Sequence, residues 1–183
     1  MKTARLIVTY ECKRQCPHCC NKYAKIMRQV QHVRDVNALR GFDIVCITGG
    51  EPMLDPVRTT AIIKDIRSKC PDALVYLYTA LVTSELLGIL DLVDGMHFTL
   101  HEGATAADVG EFGWLQSRLL GKRGSYRLYL HPTIKHLVSL RCSQWSRIEV
   151  KPWLTEEELL AMNPGSGGLP PGETLFSLDG RGT

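Results

Sequence analysis

The chain has 183 residues, 44% of them hydrophobic and 22% charged, which is typical of one globular domain with a hydrophobic core. Its formal net charge is +3 and its acidic residues are spread along the chain, so the strong basic bias of a dedicated nucleic-acid-binding protein is missing. The first apolar stretch is too short for a signal peptide, and no segment approaches the roughly 20 apolar residues that span a bilayer. We therefore expect a cytoplasmic protein with reduced thiols.

Short apolar runs alternate with helical patterns along the chain. The runs are rich in Val, Ile, Leu and Tyr and predict strands buried on both faces: Ala4–Thr9, Asp43–Ile47, Ala73–Tyr78, Met96–Leu100, Tyr126–Leu130 and Arg147–Val150. Alternation of strands and helices predicts a parallel sheet with right-handed crossovers. Six strands are too few for a closed eight-stranded barrel, so we expect an α/β fold, a partial (βα)6 TIM-like open barrel with a mostly parallel curved sheet.

Helical signals fill the segments between these runs. Apolar residues at every third position from Ala24 to Leu39 predict a first helix, which Gly41 ends. Proline and periodicity signals predict further helices over about residues 56–69, 84–92 and 106–120, and the capping-box pair Thr155 and Glu158 opens a last short one. We expect a core domain over residues 1–162 and an irregular, Gly/Pro-rich tail over residues 163–183.

Four of the seven cysteines lie within residues 12–20, directly after the first predicted strand. In parallel α/β folds, the C-terminal ends of the strands carry the chemistry. The spacing Cys12-x3-Cys16-x2-Cys19 offers three thiolates from one loop. Three thiolates can hold three irons of a cubic [4Fe–4S] cluster and leave the fourth iron open to a small molecule. We call these residues the three motif cysteines.

A structural zinc site is the alternative interpretation of the same loop, with His18 or Cys20 as the fourth ligand. Zinc sites usually draw their ligands from two separated clusters, and no second cluster follows downstream. Cys20 is either a substitute for the third motif cysteine or a spectator, and the spectator role is favoured. Cys46, Cys70 and Cys142 are isolated near apolar segments and are interpreted as core residues.

The stretch Thr48-Gly49-Gly50-Glu51-Pro52 follows the second predicted strand. Its glycines allow a ligand to approach the backbone closely and expose carbonyl groups. Glu51 adds a negatively charged acceptor, and Pro52 stiffens the exit of the turn. Together these groups suit a positively charged amine. Because the turn is predicted to lie beside the cysteine loop, the pair of motifs indicates a ligand site.

The two motifs, in this order of strands and helices, resemble the radical S-adenosylmethionine (SAM) superfamily over roughly residues 4–151. The resemblance implies that the three motif cysteines bind a [4Fe–4S] cluster whose open iron is chelated by the amino and carboxylate groups of SAM. It also implies that Gly49, Gly50 and Glu51 receive the SAM amino group. An electron from the cluster would cleave SAM to methionine and a 5′-deoxyadenosyl radical, which abstracts hydrogen from a substrate carbon.

Other polar residues follow predicted strands and are expected to face the same ligand site, at the C-terminal edge of the sheet. The remaining cofactor-binding candidates, besides Pro52, are His18, Thr79, Thr99, His101 and Glu102. His18 stands where the family often has an aromatic residue near adenine, and SAM binding through a stacked imidazole would depend on pH. His131 and Lys151 end the next strands, and Arg127 and Lys151 could meet a carboxylate or phosphate of a substrate.

The resemblance implies an enzyme, but the sequence leaves its reaction open. We expect hydrogen abstraction from a small molecule or from a nucleotide-type or nucleic-acid-base substrate, with a donor such as flavodoxin or ferredoxin supplying the electron. DNA and protein substrates stay open, and no membrane partner is expected. One alternative is an activase that installs a glycyl radical on a partner enzyme. The alternative of another class is a non-catalytic zinc-binding interaction module.

Overall fold

The computed structural model of the chain describes residues 1–14 and 16–178. Within these ranges the strands are β1 (Thr3–Thr9), β2 (Gln31–Val33), β3 (Ile44–Gly49), β4 (Leu74–Thr79), β5 (Gly95–Leu100), β6 (Ser125–Leu130), β7 (Arg147–Val150) and β8 (Glu173–Leu178). They form one sheet in the order β2-β8-β1-β3-β4-β5-β6-β7, and every pairing is parallel. The sheet is curved and unclosed, which confirms the expected α/β partial barrel.

The two faces of the sheet differ in character. Alternate residues of the central strands are buried in the main core, as Leu6, Val45, Leu77, Phe98 and Leu128 illustrate. The intervening residues of β4 to β6 are only half-buried or exposed and include charged and polar side chains. The expectation that these strands are buried on both faces is therefore wrong for one face, which we call the concave face.

Four of the five predicted helices are present, as α2 (Pro56–Lys69), α3 (Leu86–Leu90), α4 (Ala106–Leu119) and α5 (Glu156–Met162). Side-chain caps fix where they begin. Asp55 accepts a hydrogen bond from the amide of Arg58 at the start of α2, and capping boxes open α4 and α5. In the described part of the chain, no helix has both the length and the apolar character needed to cross a bilayer.

The helix predicted over Ala24–Leu39 is wrong. The segment forms α1 (Ala24–Met27), then β2, then a 3-10 turn over Val36–Leu39. A repeat of three without a matching repeat of four shifts by about 60° around a helix at each step, so it marks no single face. The β-branched residues Val30 and Val33 also favour extended backbone.

Strand β8 lies in the segment predicted to be an irregular tail, and it pairs with β1 inside the sheet. Arg5 fixes this pairing, because its Nε and Nη2 both donate to the Glu173 carboxylate, the latter at 3.0 Å from Oε1. A chain segment beyond residue 162 therefore contributes to the sheet, although the division of the chain at that residue stays a prediction. Residues 179–183 of the predicted tail lie outside the described residues.

We predict that Glu173→Ala lowers the free energy of unfolding by about 1–3 kcal/mol, because it leaves a partly buried guanidinium without its partner. Urea denaturation followed by circular dichroism measures this change. Glu111→Ala removes an exposed carboxylate on α4 and is the matched control. Equal stability of the two variants would contradict the proposed role of the ion pair.

Candidate active site

The cysteine loop and the Gly-Gly-Glu turn leave the sheet side by side, because β1 and β3 are neighbours. Two backbone hydrogen bonds continue the pairing beyond the strands. The amide of Gly50 donates to the carbonyl of Thr9 at 2.6 Å, and the amide of Glu51 donates to the carbonyl of Glu11 at 2.8 Å. The base of the cysteine loop is thus bonded to the turn immediately before Cys12.

Both glycines are required by this close approach. A Cβ on Gly50 would lie 2.1 Å from the carbonyl oxygen of Glu11, and one on Gly49 would lie 2.4 Å from that of Thr9. Gly49 also has φ of +120°, which side-chain-bearing residues rarely adopt. The glycines, which the sequence predicts to meet a ligand, also seat the cysteine loop. Their contact with SAM stays a prediction.

Glu51 is buried, and its carboxylate connects the ends of β3 and β4. Oε1 accepts hydrogen bonds from the amide of Met53 at 2.9 Å and the hydroxyl of Thr79 at 2.6 Å, and Oε2 accepts one from the amide of Ala80 at 2.8 Å. Burial raises the pKa of Glu51 even though these three donors favour its ionised form. The structure therefore joins two of the predicted cofactor-binding residues, Glu51 and Thr79, in one network.

Arg14, inside the cysteine loop, holds the loop against two other elements. Its Nη2 donates to the carbonyl of Ala80 at 3.0 Å, and its guanidinium pairs with the carboxylate of Asp108. Asp108 belongs to the capping box of α4 and also accepts from the amide of Thr105 at 2.7 Å. Although burial opposes the effect, hydrogen bonds from Arg14 and Thr105 hold the pKa of Asp108 below its usual range.

The thiols of the loop are free and differ in their surroundings. Cys12 is exposed, whereas Cys16 and Cys19 are half-buried. Interaction with the Cys20 thiol lowers the pKa of Cys19 to about 6, which favours the thiolate that binds metals. Burial raises the pKa of Cys16, and the nearby Cys19 and Cys12 raise it further. Cys20 is exposed, and its Sγ lies 3.9 Å from Oδ1 of Asn21.

Cys16 is held by the next strand end. Its Sγ lies 3.1 Å from Nδ1 of His101, and the His101 ring stacks on Trp153 with centroids 5.2 Å apart. Trp153 stacks in turn on Tyr129 at 4.9 Å. Burial, followed by the positive charge of Arg14, lowers the pKa of His101 to about 4, so the imidazole is neutral at neutral pH. We call His101, Trp153 and Tyr129 the aromatic column.

The donor set of the loop fits an iron–sulfur cluster. Thiolates are the ligands that such clusters take, and the loop offers three of them free of disulfide bonds beside a seated backbone turn. Within residues 1–14 and 16–178, no group of three or more His, Cys, Asp or Glu side chains is placed so that it could hold a single metal ion.

A family model described as "4Fe-4S single cluster domain" matches residues 3–104, more than half of the chain. The chain belongs to this family. The family is associated with radical SAM proteins, which confirms the resemblance drawn from the two motifs.

Among solved structures, the chain is similar to the crystal structure of BtrN in complex with AdoMet and 2-DOIA, with 20% identity and a TM-score of 0.48. The similarity covers 69% of this chain and 56% of that chain, so the match spans little more than half of BtrN's length. No curated protein sequence matches the chain.

The other predicted candidates lie in the cysteine loop or at the C-terminal ends of the strands. Oε2 of Glu102 lies 3.4 Å from Nε2 of His131, and Thr99 is half-buried on β5. Pro52 is buried, and its carbonyl accepts a hydrogen bond from the Thr59 hydroxyl. His18 is exposed in the cysteine loop. The direct cofactor contacts of these residues stay predictions.

The roles of Arg14 and Asp108 were not predicted from the sequence. The capping-box spacing from Thr105 to Asp108 is visible in the sequence, but it indicates only where a helix begins. The Arg14–Asp108 ion pair joins residues 94 positions apart, and no local sequence pattern predicts such a contact. The aromatic column was not predicted for the same reason, although His101 was predicted to lie at the site.

We predict that Gly50→Ala prevents the chain from retaining its cluster, because the new Cβ must displace the carbonyl of Glu11 and with it the cysteine loop. Iron and sulfide per chain, measured after anaerobic reconstitution, test this. Gly103→Ala is the control, since a Cβ there meets nothing within 4 Å. Normal cluster content in Gly50→Ala would show that the loop does not depend on this contact.

We predict that Arg14→Gln lets a chelator extract iron from the reconstituted protein about tenfold faster, because the loop loses a charge-assisted attachment to α4. Bleaching of the cluster absorbance after addition of chelator gives the rate. Arg28→Gln removes an exposed charge just after α1 and serves as the comparison. If the two variants lose iron at the same rate, Arg14 does not stabilise the cluster loop.

Proposed function

We propose that this chain is a radical SAM enzyme that acts on a small-molecule or nucleotide-type substrate. The observation that carries the proposal is the seating of the three-cysteine loop on the Gly-Gly-Glu turn, at the C-terminal edge of a parallel sheet. Membership in a 4Fe–4S single cluster family supports the same chemistry.

The three motif cysteines would hold the [4Fe–4S] cluster, and the backbone of Gly49 to Glu51 would receive the amino group of SAM. When bound, the cluster and SAM would together supply one-electron cleavage of SAM. This cleavage yields methionine and a 5′-deoxyadenosyl radical able to take hydrogen from a substrate carbon.

The chain's own residues contribute positioning. Arg14 fixes the loop between the first two motif cysteines, and His101 contacts Cys16 from the end of β5. Hydrogen bonds near a ligating sulfur tune the reduction potential of a cluster, so His101 is placed to influence it. Glu51 holds its turn rigid through three hydrogen bonds, which keeps the neighbouring backbone groups in place for a ligand.

The substrate would bind on the concave face, below the edge that carries the cysteine loop. Half-buried residues such as Tyr78, His97 and Thr99 line this face on adjacent strands, so a bound molecule would meet both aromatic and polar groups. Such a mixed surface suits a small polar molecule or a nucleotide-type substrate better than a purely apolar one.

The test is reduction of the anaerobically reconstituted protein by dithionite in the presence of SAM. We expect 5′-deoxyadenosine from the unmodified chain and none from Cys12→Ala, Cys16→Ala or Cys19→Ala. Cys142→Ala is the control, because Cys142 lies outside the loop. Its thiol is exposed, so its interpretation as a core residue is wrong. A colourless protein that binds zinc through the loop and cleaves no SAM would contradict the proposal.

A further inference from the structure

The concave face carries two neighbouring rows of side chains near the open edge of the sheet. Register pairs align Tyr78, His97, Arg127 and Arg147 across β4 to β7. The next row toward the cysteine loop aligns Thr99, Tyr129 and Glu149. Because side chains two residues apart on a strand share a face, both rows lie on one surface.

Arg127 and Arg147 stand directly beside each other in the first row. Like charges at facing positions of adjacent strands destabilise a sheet unless a counter-charge lies near. Glu149 partly supplies one, but its Oε1 pairs with Nε of Arg147 at 2.9 Å and its Oε2 with Nζ of Lys151 at 2.7 Å. Among the residues that the structure describes, no carboxylate pairs with Arg127, and its side chain is exposed.

Each of the two other cations of this face has a carboxylate partner: Arg5 pairs with Glu173, and Lys151 pairs with Glu149. Two carboxylates, those of Glu149 and Glu173, thus face four cations in the described part of this surface: Arg5, Arg127, Arg147 and Lys151. The surplus positive charge lies at the Arg127 and Arg147 pair. A surface of this kind attracts an anion.

His97 responds to the same field. Burial, followed by the charges of Arg127 and Arg5, lowers its pKa to about 4, so the imidazole is neutral and stacks on Tyr78 with centroids 4.2 Å apart. Its neutrality leaves the surplus charge of the arginines in place, and the Arg127 guanidinium remains available to an incoming ligand.

We propose that Arg127 and Arg147 bind the phosphate or carboxylate group of the substrate, an inference that rests on the proposed function. A guanidinium presents paired N–H donors that match both anions. The aromatic column leads from Tyr129, two residues beyond Arg127 on β6, to His101 and the Sγ of Cys16. An anion held by the arginines therefore leaves the rest of the substrate facing the cysteine end of the column.

Calorimetric titration of the cluster-loaded protein tests the site with four probes: a nucleoside 5′-monophosphate, the corresponding nucleoside, benzoate and inorganic phosphate. We expect binding of an anionic probe and none of the uncharged nucleoside. Arg127→Gln should weaken the binding about 10- to 100-fold, as expected for loss of a charge-assisted hydrogen bond. Arg123→Gln, which removes an exposed charge just before β6, should leave it unchanged.

Binding of the monophosphate identifies a phosphate group, and binding of benzoate alone identifies a carboxylate. Either result supports the subsite if Arg127→Gln weakens that binding as expected. A second readout on the unmodified protein is the NMR titration of His97, whose pKa should rise when an anion offsets the arginine charges. Equal binding by both variants, equal binding of the nucleoside, or no anion binding at all would overturn the inference. Formation of 5′-deoxyadenosine by the same preparation is scored separately, so failure of the anion subsite is distinguishable from failure of the proposed function.

Discussion

The site depends on one close backbone approach. Gly50 lies so near the carbonyl of Glu11 that no side chain can stand between them. This contact extends the pairing of β1 and β3 past the end of the sheet and places the cysteine loop directly on the Gly-Gly-Glu turn. Burial of the cysteine side chains contributes little to the position of the loop, because they are exposed or only half-buried.

Ala80 connects the Gly-Gly-Glu turn to the cysteine loop through two backbone hydrogen bonds. Its amide donates to Glu51 and its carbonyl accepts from Arg14, so one residue after β4 links the turn to the cysteine loop. Asp108 then connects Arg14 to the start of α4. The cysteine loop, the Gly-Gly-Glu turn, the end of β4 and the start of α4 therefore hold one another. The candidate ligand groups lie at the C-terminal edge, where parallel sheets carry their chemistry.

Patterns that are local in the sequence predicted much of this arrangement. The strands from β3 to β7 and the helix starts at Asp55 and Thr155 follow from apolar runs and capping residues. Strand β8 escaped prediction because it follows a Gly/Pro-rich stretch, and the Arg5–Glu173 pair that fixes it spans 168 positions. The motif residues were recognised from the sequence. The hydrogen bonds that Glu51 accepts from Thr79 and Ala80 were not, because they form only when the ends of β3 and β4 lie side by side.

The most direct test of the account is electron paramagnetic resonance of the reduced, reconstituted protein with and without SAM. With three protein thiolates on the proposed cluster, one iron would be left for the amino and carboxylate groups of SAM. We therefore expect one paramagnetic cluster per chain whose spectrum changes when SAM is added. A spectrum that stays identical with saturating SAM would contradict an open iron beside the Gly-Gly-Glu turn.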